Sequence, residues 1–178
     1  KKKINMLVFV GSNSSKSINV QLTKAVLKEL NIKNEYVDLK ALDIPLFSED
    51  LEREIKAPKG ILFLKDQIAS KEHVFIATNE HNSNLSAFFK NILDWLSRSD
   101  VKFLKDKKVF ILSASEGRRG GLGANEKLQG LVRQFGCEVC ESFTFPSFPQ
   151  NFDKELQQVT NEEFLTEIQQ KLNVIQNS

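Results

Sequence analysis

The chain has 178 residues, of which 40% are hydrophobic, and 25 basic residues stand against 23 acidic ones. This length is enough for a full core and predicts a single domain over residues 1–178. The formal charge of +2, with scattered Lys and Arg residues, argues against a nucleic-acid-binding protein. No stretch approaches transmembrane length, and the apolar segment after Lys1-Lys2-Lys3 is too short for a signal peptide. The sequence therefore predicts a cytosolic protein with no membrane partner.

Predicted strands and helices alternate along the chain. The strands are apolar runs at residues 6–10, 36–39, 73–78, 109–112 and 139–145. The helices follow at about 22–30, 61–68, 85–98, 124–135 and 161–175. Apolar strands alternating with helices are typical of an α/β protein whose parallel sheet is covered on both faces. The prediction is a flavodoxin-like three-layer sandwich with five strands in the order 2-1-3-4-5.

Ligands of this architecture bind beyond the carboxyl ends of the strands, at the edge formed by the loops after strands one, three and four. Loop one (residues 11–19) joins a buried strand to a helix and is rich in hydroxyl and amide side chains. Such a joint aims backbone N–H groups and the positive end of a helix dipole at one point, which suits an anion. Its spacing matches neither the dinucleotide fingerprint nor a Walker loop. Two interpretations stay open: a site for a terminal phosphate, or a turn whose hydroxyls only cap the helix.

The other two loops at this edge are also unusual. Loop three (residues 79–84) offers backbone N–H groups, amides and an imidazole. Loop four (residues 113–123) is the most glycine-dense segment of the chain, so a flat group can lie close to its backbone, although glycines also serve simply to make turns. A ligand with a phosphate at one end and a planar, hydrogen-bonding ring at the other fits the three loops, and FMN is such a ligand.

Three segments resemble the NADPH-dependent FMN reductases, a family that includes quinone, chromate and azo-compound reductases. That family's phosphate loop reads Gly-Ser-x-Arg-x-x-Ser-x-Asn, and its ring loop reads Pro-Glu-Tyr-Asn. A helix with Leu-Lys-Asn-x-x-Asp-Trp follows the ring loop, and a later glycine-rich loop ends in Gly-Gly. The matching residues here are Gly11, Ser12, Ser17, Asn19, Glu80, Asn82, Lys90, Asn91, Asp94, Trp95, Gly120 and Gly121. The resemblance extends over essentially the whole chain.

The chain departs from the family pattern at three positions. Ser14 stands in place of the phosphate-loop arginine, and Lys16 supplies a charge nearby as a point charge rather than a bidentate fork. In the ring loop, Asn79 replaces proline and His81 replaces tyrosine. We expect His81 to cover a flavin face without being required for FMN binding.

The resemblance implies an enzyme with FMN as cofactor and NADPH or NADH as co-substrate. It implies ping-pong hydride transfer to flavin, a quinone or a similar small acceptor, with no catalytic side chain and no metal, because the cofactor carries the chemistry. It implies that the phosphate is held by Ser12, Ser14, Ser17 and Asn19, aided by Gly11 and Lys16. It implies that the ring pocket is lined by Glu80, His81, Asn82, Ser83, Ser115, Glu116, Gly117, Gly120 and Gly121.

The family also implies a homodimer or homotetramer. Trp95 and one of Phe88 and Phe89 either meet a second subunit or pack in the core. Two alternatives to the enzyme remain: a flavodoxin-type FMN electron carrier, and a cofactor-free binding protein on the same fold. A carrier is disfavoured because flavodoxins are commonly strongly acidic, whereas this chain is slightly basic.

Cys137 and Cys140 have the spacing of a redox Cys-x-x-Cys pair. They fall in a strand-like segment, and a separation of three in a strand puts side chains on opposite faces. The sequence therefore predicts two separate, buried or half-buried thiols rather than a redox pair.

Overall fold

A five-stranded parallel sheet forms the centre of the computed structural model, which describes residues 5–178. We number its strands β1 to β5 along the chain, leaving two short hairpins unnumbered. They are β1 (Met6–Val10), β2 (Asn34–Val37), β3 (His73–Thr78), β4 (Lys108–Ala114) and β5 (Val139–Phe145). The spatial order is β2-β1-β3-β4-β5, and every neighbouring pair is parallel. The predicted order is confirmed.

Helices cover both faces of this sheet. They are α1 (Ile18–Glu29), α2 (Glu49–Ile55), α3 (Lys59–Ala69), α4 (Ala87–Ser99), α5 (Leu122–Gln134), α6 (Phe148–Asn151) and α7 (Glu162–Asn177). Helices α3, α4 and α5 share one apolar cluster with the sheet, and α1 and α7 share the other. Serine side chains cap α1, α2 and α4, each accepting a hydrogen bond from a backbone N–H of the first turn.

Successive side chains of each central strand belong to opposite clusters. In β1, Leu7 and Phe9 pack beneath α3 to α5, whereas Met6 and Val8 pack beneath α1 and α7. Both faces of the strand are therefore buried, which explains why it is a continuous apolar run in the sequence. The three-layer sandwich is confirmed.

The connection from β2 to α3 is more regular than the sequence suggests. The second strand begins at Asn34 and ends at Val37, two residues earlier than predicted, and a 3-10 turn over Leu39–Leu42 follows it. The acidic segment that begins at Glu49 forms α2. Ser48 caps this helix, and three acidic residues lie in its first turn, where the helix dipole favours negative charge.

Helix α4 holds this connection against the body of the protein. Asn91 accepts a hydrogen bond from the Phe47 amide at 2.7 Å and donates to the Pro45 carbonyl at 3.0 Å. Trp95 Nε1 donates to the same carbonyl at 2.9 Å, and its ring meets that of Phe47 edge-on. Trp95 and Phe89 are completely buried, so they belong to the core of this chain and not to a subunit contact.

The arrangement of the two cysteines differs from the prediction. Cys137 lies before β5, after the turn at Gly136, where φ is +100°, and Cys140 is the second residue of the strand. Both side chains pack against the cluster beneath α3, α4 and α5. They are therefore on one face of the sheet, because the alternation of a strand does not apply across a turn. The expectation of opposite faces is wrong.

His73, the first residue of β3, makes stability depend on pH. Its side chain is only 6% exposed, and burial lowers the pKa of the imidazole. The neutral form is therefore favoured in the folded protein, while the unfolded chain takes up a proton near pH 6.5. Below that pH the unfolded state binds more protons, so stability falls as pH falls.

We expect wild-type protein to lose stability relative to His73→Phe as pH drops from 7 to 5, by up to about 1.4 kcal/mol per pH unit. Urea unfolding of both proteins at each pH measures this difference. A constant difference across the range would contradict the assignment.

Over residues 5–178 we find no helix with the length and hydropathy needed to cross a membrane.

Candidate functional site

Loops one, three and four meet at the carboxyl edge of the sheet. They follow β1, β3 and β4, which are neighbours in the sheet, and hydrogen bonds join each loop to another part of this edge. The convergence predicted for these loops is confirmed. Each junction depends on side chains that hold backbone in place.

Loop one begins where the chain presses against α4. The Gly11 amide donates to the Ala77 carbonyl at 2.8 Å, and Ser86 Oγ donates to the Gly11 carbonyl at 3.0 Å. A Cβ at Gly11 would lie 2.3 Å from Cγ of Phe89, too close for any real contact. Only glycine fits between β1 and the first turn of α4 without displacing one of them.

The serines of loop one shape a tight turn in front of α1. Ser12 Oγ accepts from the Ser14 amide at 3.3 Å, and Ser14 Oγ accepts from the Lys16 amide at 3.2 Å. Ser17 Oγ accepts from the Val20 amide and caps the helix. Ser14 and Lys16 are exposed. The turn thus places hydroxyls and a lysine at the positive end of α1, a set of donors that suits a phosphate.

Asn19 joins loop one to loop four. Its side-chain oxygen accepts from the Ala114 amide at 2.8 Å, and its Nδ2 donates to the Ala114 carbonyl at 3.3 Å. The side chain is only 2% exposed, and both of its polar atoms are engaged. Its observed role is to hold α1 against the end of β4, which positions loop one rather than presenting a further group to the solvent.

Loop three is a two-residue hairpin and not the open turn that its polarity suggests. Glu80 pairs with Leu85 and His81 with Asn84. The connecting residues Asn82 and Ser83 have φ values of 52° and 57°, as a type I′ turn requires. Asn and Ser tolerate this left-handed backbone better than branched residues do.

Glu80 extends from this hairpin to helix α5. Its Oε2 accepts from the Ala124 amide at 2.9 Å, and the N-cap residue Gly121 provides no side-chain cap. A carboxylate here also offsets the positive end of the helix dipole. A Cβ at Gly123 would lie 2.7 Å from the Ser83 carbonyl oxygen, so the hairpin rests directly on the start of α5.

Asn79 and His81, the two ring-loop residues that differ from the family pattern, contact each other. Asn79 Nδ2 and His81 Nε2 are 3.1 Å apart. Asn79 Oδ1 is buried and has no hydrogen-bond partner among residues 5–178, which leaves an acceptor available to a ligand donor. His81 and Asn82 are exposed and border a depression of about 520 Å³ that reaches Lys90 of α4.

Loop four is held by a buried polar network. Ser113 Oγ donates to the Gly120 carbonyl at 2.8 Å and accepts from Asn125 Nδ2 at 3.0 Å. Gly120 has a φ of +59°, and a Cβ there would lie 2.8 Å from the Phe145 backbone. Glycine is therefore required at this position by conformation and by space.

The outer part of loop four rests on the segment after β5. The Ser147 amide donates to the Gly117 carbonyl at 2.9 Å, and the Ser115 amide donates to the Phe145 carbonyl at 3.3 Å. Glu116 and Gly117 are exposed, and an added Cβ at Gly117 would meet only Ser115 Oγ at 3.9 Å. This surface is open to a flat group.

The structure brings all the predicted site residues to one edge but divides them in two. The side chains of Ser17, Asn19 and Glu80 are buried or half-buried and bind protein backbone. The predicted site residues whose side chains are exposed are Ser14, Lys16, His81, Asn82, Ser83 and Glu116. Sequence reasoning missed Ser86, although a serine before an apolar helix is an N-cap pattern, and it missed Asn125, for which no local pattern exists.

The donor set fits FMN at both ends. Loop one offers hydroxyls, the start of α1 and Lys16 to a phosphate. The hairpin, the unpartnered Asn79 oxygen and the open backbone at Gly117 offer hydrogen bonds and space to a planar ring. Among residues 5–178 no cluster of His, Cys, Asp or Glu is arranged to hold a metal ion.

Comparison with known proteins gives a consistent result. The model of a family described as NADPH-dependent FMN reductase matches residues 4–149. A quinone reductase of Escherichia coli strain K12 is 31% identical over 131 residues, which cover 73% of this chain and 70% of that protein. An NADPH:quinone oxidoreductase of Arabidopsis thaliana is 33% identical over 144 residues, covering 76% of this chain and 68% of that protein.

A solved structure shares the whole fold. It is FerB, a flavoenzyme NAD(P)H:(acceptor) oxidoreductase from Paracoccus denitrificans, with a TM-score of 0.79 and 24% identity. The alignment covers 98% of each chain. This similarity supports the architecture described above.

Proposed function

Because this chain belongs to the NADPH-dependent FMN reductase family, we propose that the edge formed by loops one, three and four is its flavin site. The chain is an oxidoreductase that uses FMN and NAD(P)H to reduce flavin or a quinone. The observation that carries the site assignment is the convergence of the three loops, joined by Ser86, Asn19 and Glu80. The proposed flavin-binding unit is the whole chain.

Within this site, loop one would hold the phosphate and loops three and four would hold the ring. Ser12, Ser14 and Lys16 supply the phosphate donors, while Ser17 and Asn19 keep the loop and α1 in position. When bound, FMN supplies the hydride and electron transfer chemistry. The balanced reaction with a quinone is NAD(P)H + H⁺ + quinone → NAD(P)⁺ + hydroquinone. The proposal assigns no side chain as a proton donor, because the cofactor carries the redox chemistry.

The proposed kinetic order is ping-pong, with NAD(P)H and the acceptor using the same open surface in turn. The exposure of His81, Asn82 and Gly117 on this surface supports the proposal. In anaerobic stopped flow, NADPH or NADH should bleach the bound flavin and a quinone should restore its colour. Steady-state double-reciprocal plots should be parallel. Intersecting plots would reject the ping-pong order but leave the proposed flavin site standing.

The same experiment separates the alternatives. Flavin that binds but is not bleached by either nicotinamide nucleotide would favour an electron carrier. Colourless protein that takes up no added FMN would favour a cofactor-free binding protein. The exposed Lys16, which makes no ion pair within residues 5–178, argues for a phosphate ligand and against the last alternative.

Replacing Lys16 tests the phosphate site directly. We expect Lys16→Ala to weaken FMN binding roughly tenfold, since a charge-assisted contact to phosphate is lost. Binding of riboflavin, which has no phosphate, should change little. Fluorescence titration of flavin-free protein measures both affinities.

Lys28→Ala is the matched control, because it removes the same charge from the last turn of α1, the helix whose first residue follows Lys16 by two positions. Equal losses of FMN and riboflavin affinity in Lys16→Ala would place the phosphate elsewhere.

We propose a homodimer or homotetramer that works in the cytoplasm. Leu62 and Phe63 of α3 are 47% and 46% exposed, and their side chains provide apolar surface for a subunit contact. The need for NAD(P)H and the two free thiols agree with a reducing compartment. Light scattering of the purified protein measures its molar mass in solution. A monomer at all concentrations would reject the proposed homodimer or homotetramer.

A further inference from the structure

The chain contains two cysteines, and both lie at the amino-terminal end of β5. Cys140 pairs with Val109 near the start of β4. Helix α5 ends just before them, where the Cys137 amide donates to the Val132 carbonyl at 3.0 Å. The turn at Gly136 then brings Cys137 to the face that carries Cys140, as their shared apolar cluster shows.

The two thiols are close to each other. Cys137 and Cys140 are three residues apart, and both side chains pack against the cluster beneath α3, α4 and α5. The Cys137 thiol donates to the Val139 carbonyl oxygen at 3.0 Å. Both residues are half-buried, and β5 is an edge strand of the sheet, so small reagents can reach them. Two neighbouring, partly exposed thiols differ from inert core cysteines.

The surroundings favour a thiolate at Cys140. Interaction with the neighbouring Cys137 thiol lowers the pKa of Cys140, and the positive charge of Arg133 acts in the same direction, against the effects of burial and of Glu141. The same interaction with Cys140, together with burial, raises the pKa of Cys137. A thiolate next to a protonated thiol is the arrangement of an attacking and a resolving cysteine.

We propose that Cys137 and Cys140 form a dithiol site that a peroxide oxidises to an intramolecular disulfide. The observations that support it are the shared face, the separation of only three residues across the end of the Gly136 turn, and the half-exposed position of both thiols at an edge strand.

The chemistry balances with hydrogen peroxide as the oxidant. The Cys140 thiolate attacks one peroxide oxygen, an S–O bond forms, the O–O bond breaks, and the released hydroxide takes a proton to become water. The Cys137 sulfur then attacks the sulfur of Cys140, an S–S bond forms, and the S–O bond breaks. The second hydroxide leaves as water with the Cys137 proton. Two thiols lose two electrons in all, and the peroxide gains them.

This site is separate from the proposed flavin site. Cys140 is in register with Val109, and Ala114, which binds Asn19, lies five residues further along β4. At about 3.3 Å per residue, roughly 16 Å of strand separates the thiols from that edge. The inference therefore does not rest on the proposed function, and either can fail without the other.

Intact-mass measurement of the full chain tests the proposal. Reduced protein treated with a small excess of hydrogen peroxide should lose the mass of two hydrogen atoms and both titratable thiols while remaining a single chain on a non-reducing gel. Dithiothreitol should restore both thiols. Because there are no other cysteines in the sequence, this product can only be the Cys137–Cys140 disulfide. Phenylarsine oxide, which bridges neighbouring thiols, should block both with one equivalent.

Single variants assign the roles. Cys137→Ser should gain the mass of one oxygen without forming a disulfide, and Cys140→Ser should react with peroxide roughly tenfold more slowly than Cys137→Ser, because the attacking thiolate is gone. The variant with both cysteines replaced by Ser should keep the wild-type flavin binding.

The wild-type measurement decides the matter even if a variant fails to fold. Two thiols that survive peroxide, a gain of oxygen atoms in place of a disulfide, or a disulfide between chains would overturn the proposal. So would a requirement for two equivalents of phenylarsine oxide.

Discussion

Gly11→Ala is expected to lower the free energy of unfolding by about 3 kcal/mol or to prevent folding. The added Cβ would lie 2.3 Å and 2.4 Å from two ring atoms of Phe89, which is completely buried. The backbone cannot retreat, because Ala77 and Ser86 hold Gly11 by its amide and its carbonyl. Urea unfolding of flavin-free protein measures the loss without interference from ligand binding.

Gly117→Ala is the matched control, since its Cβ would meet only one atom, at 3.9 Å. We expect it to change stability by less than about 0.5 kcal/mol. Adding Phe89→Leu to Gly11→Ala should recover part of the loss by removing ring atoms from the clash. Equal stabilities of the two alanine variants would show that the contact with Phe89 does not constrain position 11.

Trp95→Ala should lower the free energy of unfolding by about 3–5 kcal/mol, as expected for a large buried aromatic side chain. The ring is fully buried, meets Phe47 at a centroid distance of 5.0 Å and donates to the Pro45 carbonyl. Trp95→Phe keeps much of the packing but removes that hydrogen bond. We assign about 1 kcal/mol of the stability that this variant loses to the missing hydrogen bond. Denaturant unfolding of the flavin-free variants provides the values.

Lys90→Ala is the control within the same helix motif. Its ion pair with Asp94 spans one helical turn at 2.5 Å, and both side chains are largely exposed. Such pairs contribute less than about 0.5 kcal/mol. If Lys90→Ala cost as much as Trp95→Ala, the view that the motif acts through its buried face would be wrong.

The parts of the fold that sequence could predict are those governed by local periodicity. Buried strands such as β1 and β3 are short apolar runs, and α4 has an apolar face wide enough to signal burial. The strand order followed from the rules for parallel sheets. That order placed the three loops together at the carboxyl edge of the sheet. The loops could therefore be brought together before any contact between them was known.

Contacts between distant residues could not be predicted in the same way. Nothing near Asn19 in sequence indicates Ala114, and nothing near Glu80 indicates the start of α5. The prediction for the cysteines was wrong for a local reason. The fifth strand begins at Val139 as predicted, but the alternation of side chains in a strand was applied to Cys137, which lies before the strand and after the turn at Gly136.

The bond between Glu80 and the Ala124 amide limits how this protein can be re-engineered. A hairpin transplanted from a relative to change acceptor preference will lose its contacts with the start of α5 unless Glu80 and Gly123 are kept together with it. Glu80, Gly123 and the turn formed by Asn82 and Ser83 therefore have to be exchanged as one unit, although Gly123 is distant from the hairpin in sequence.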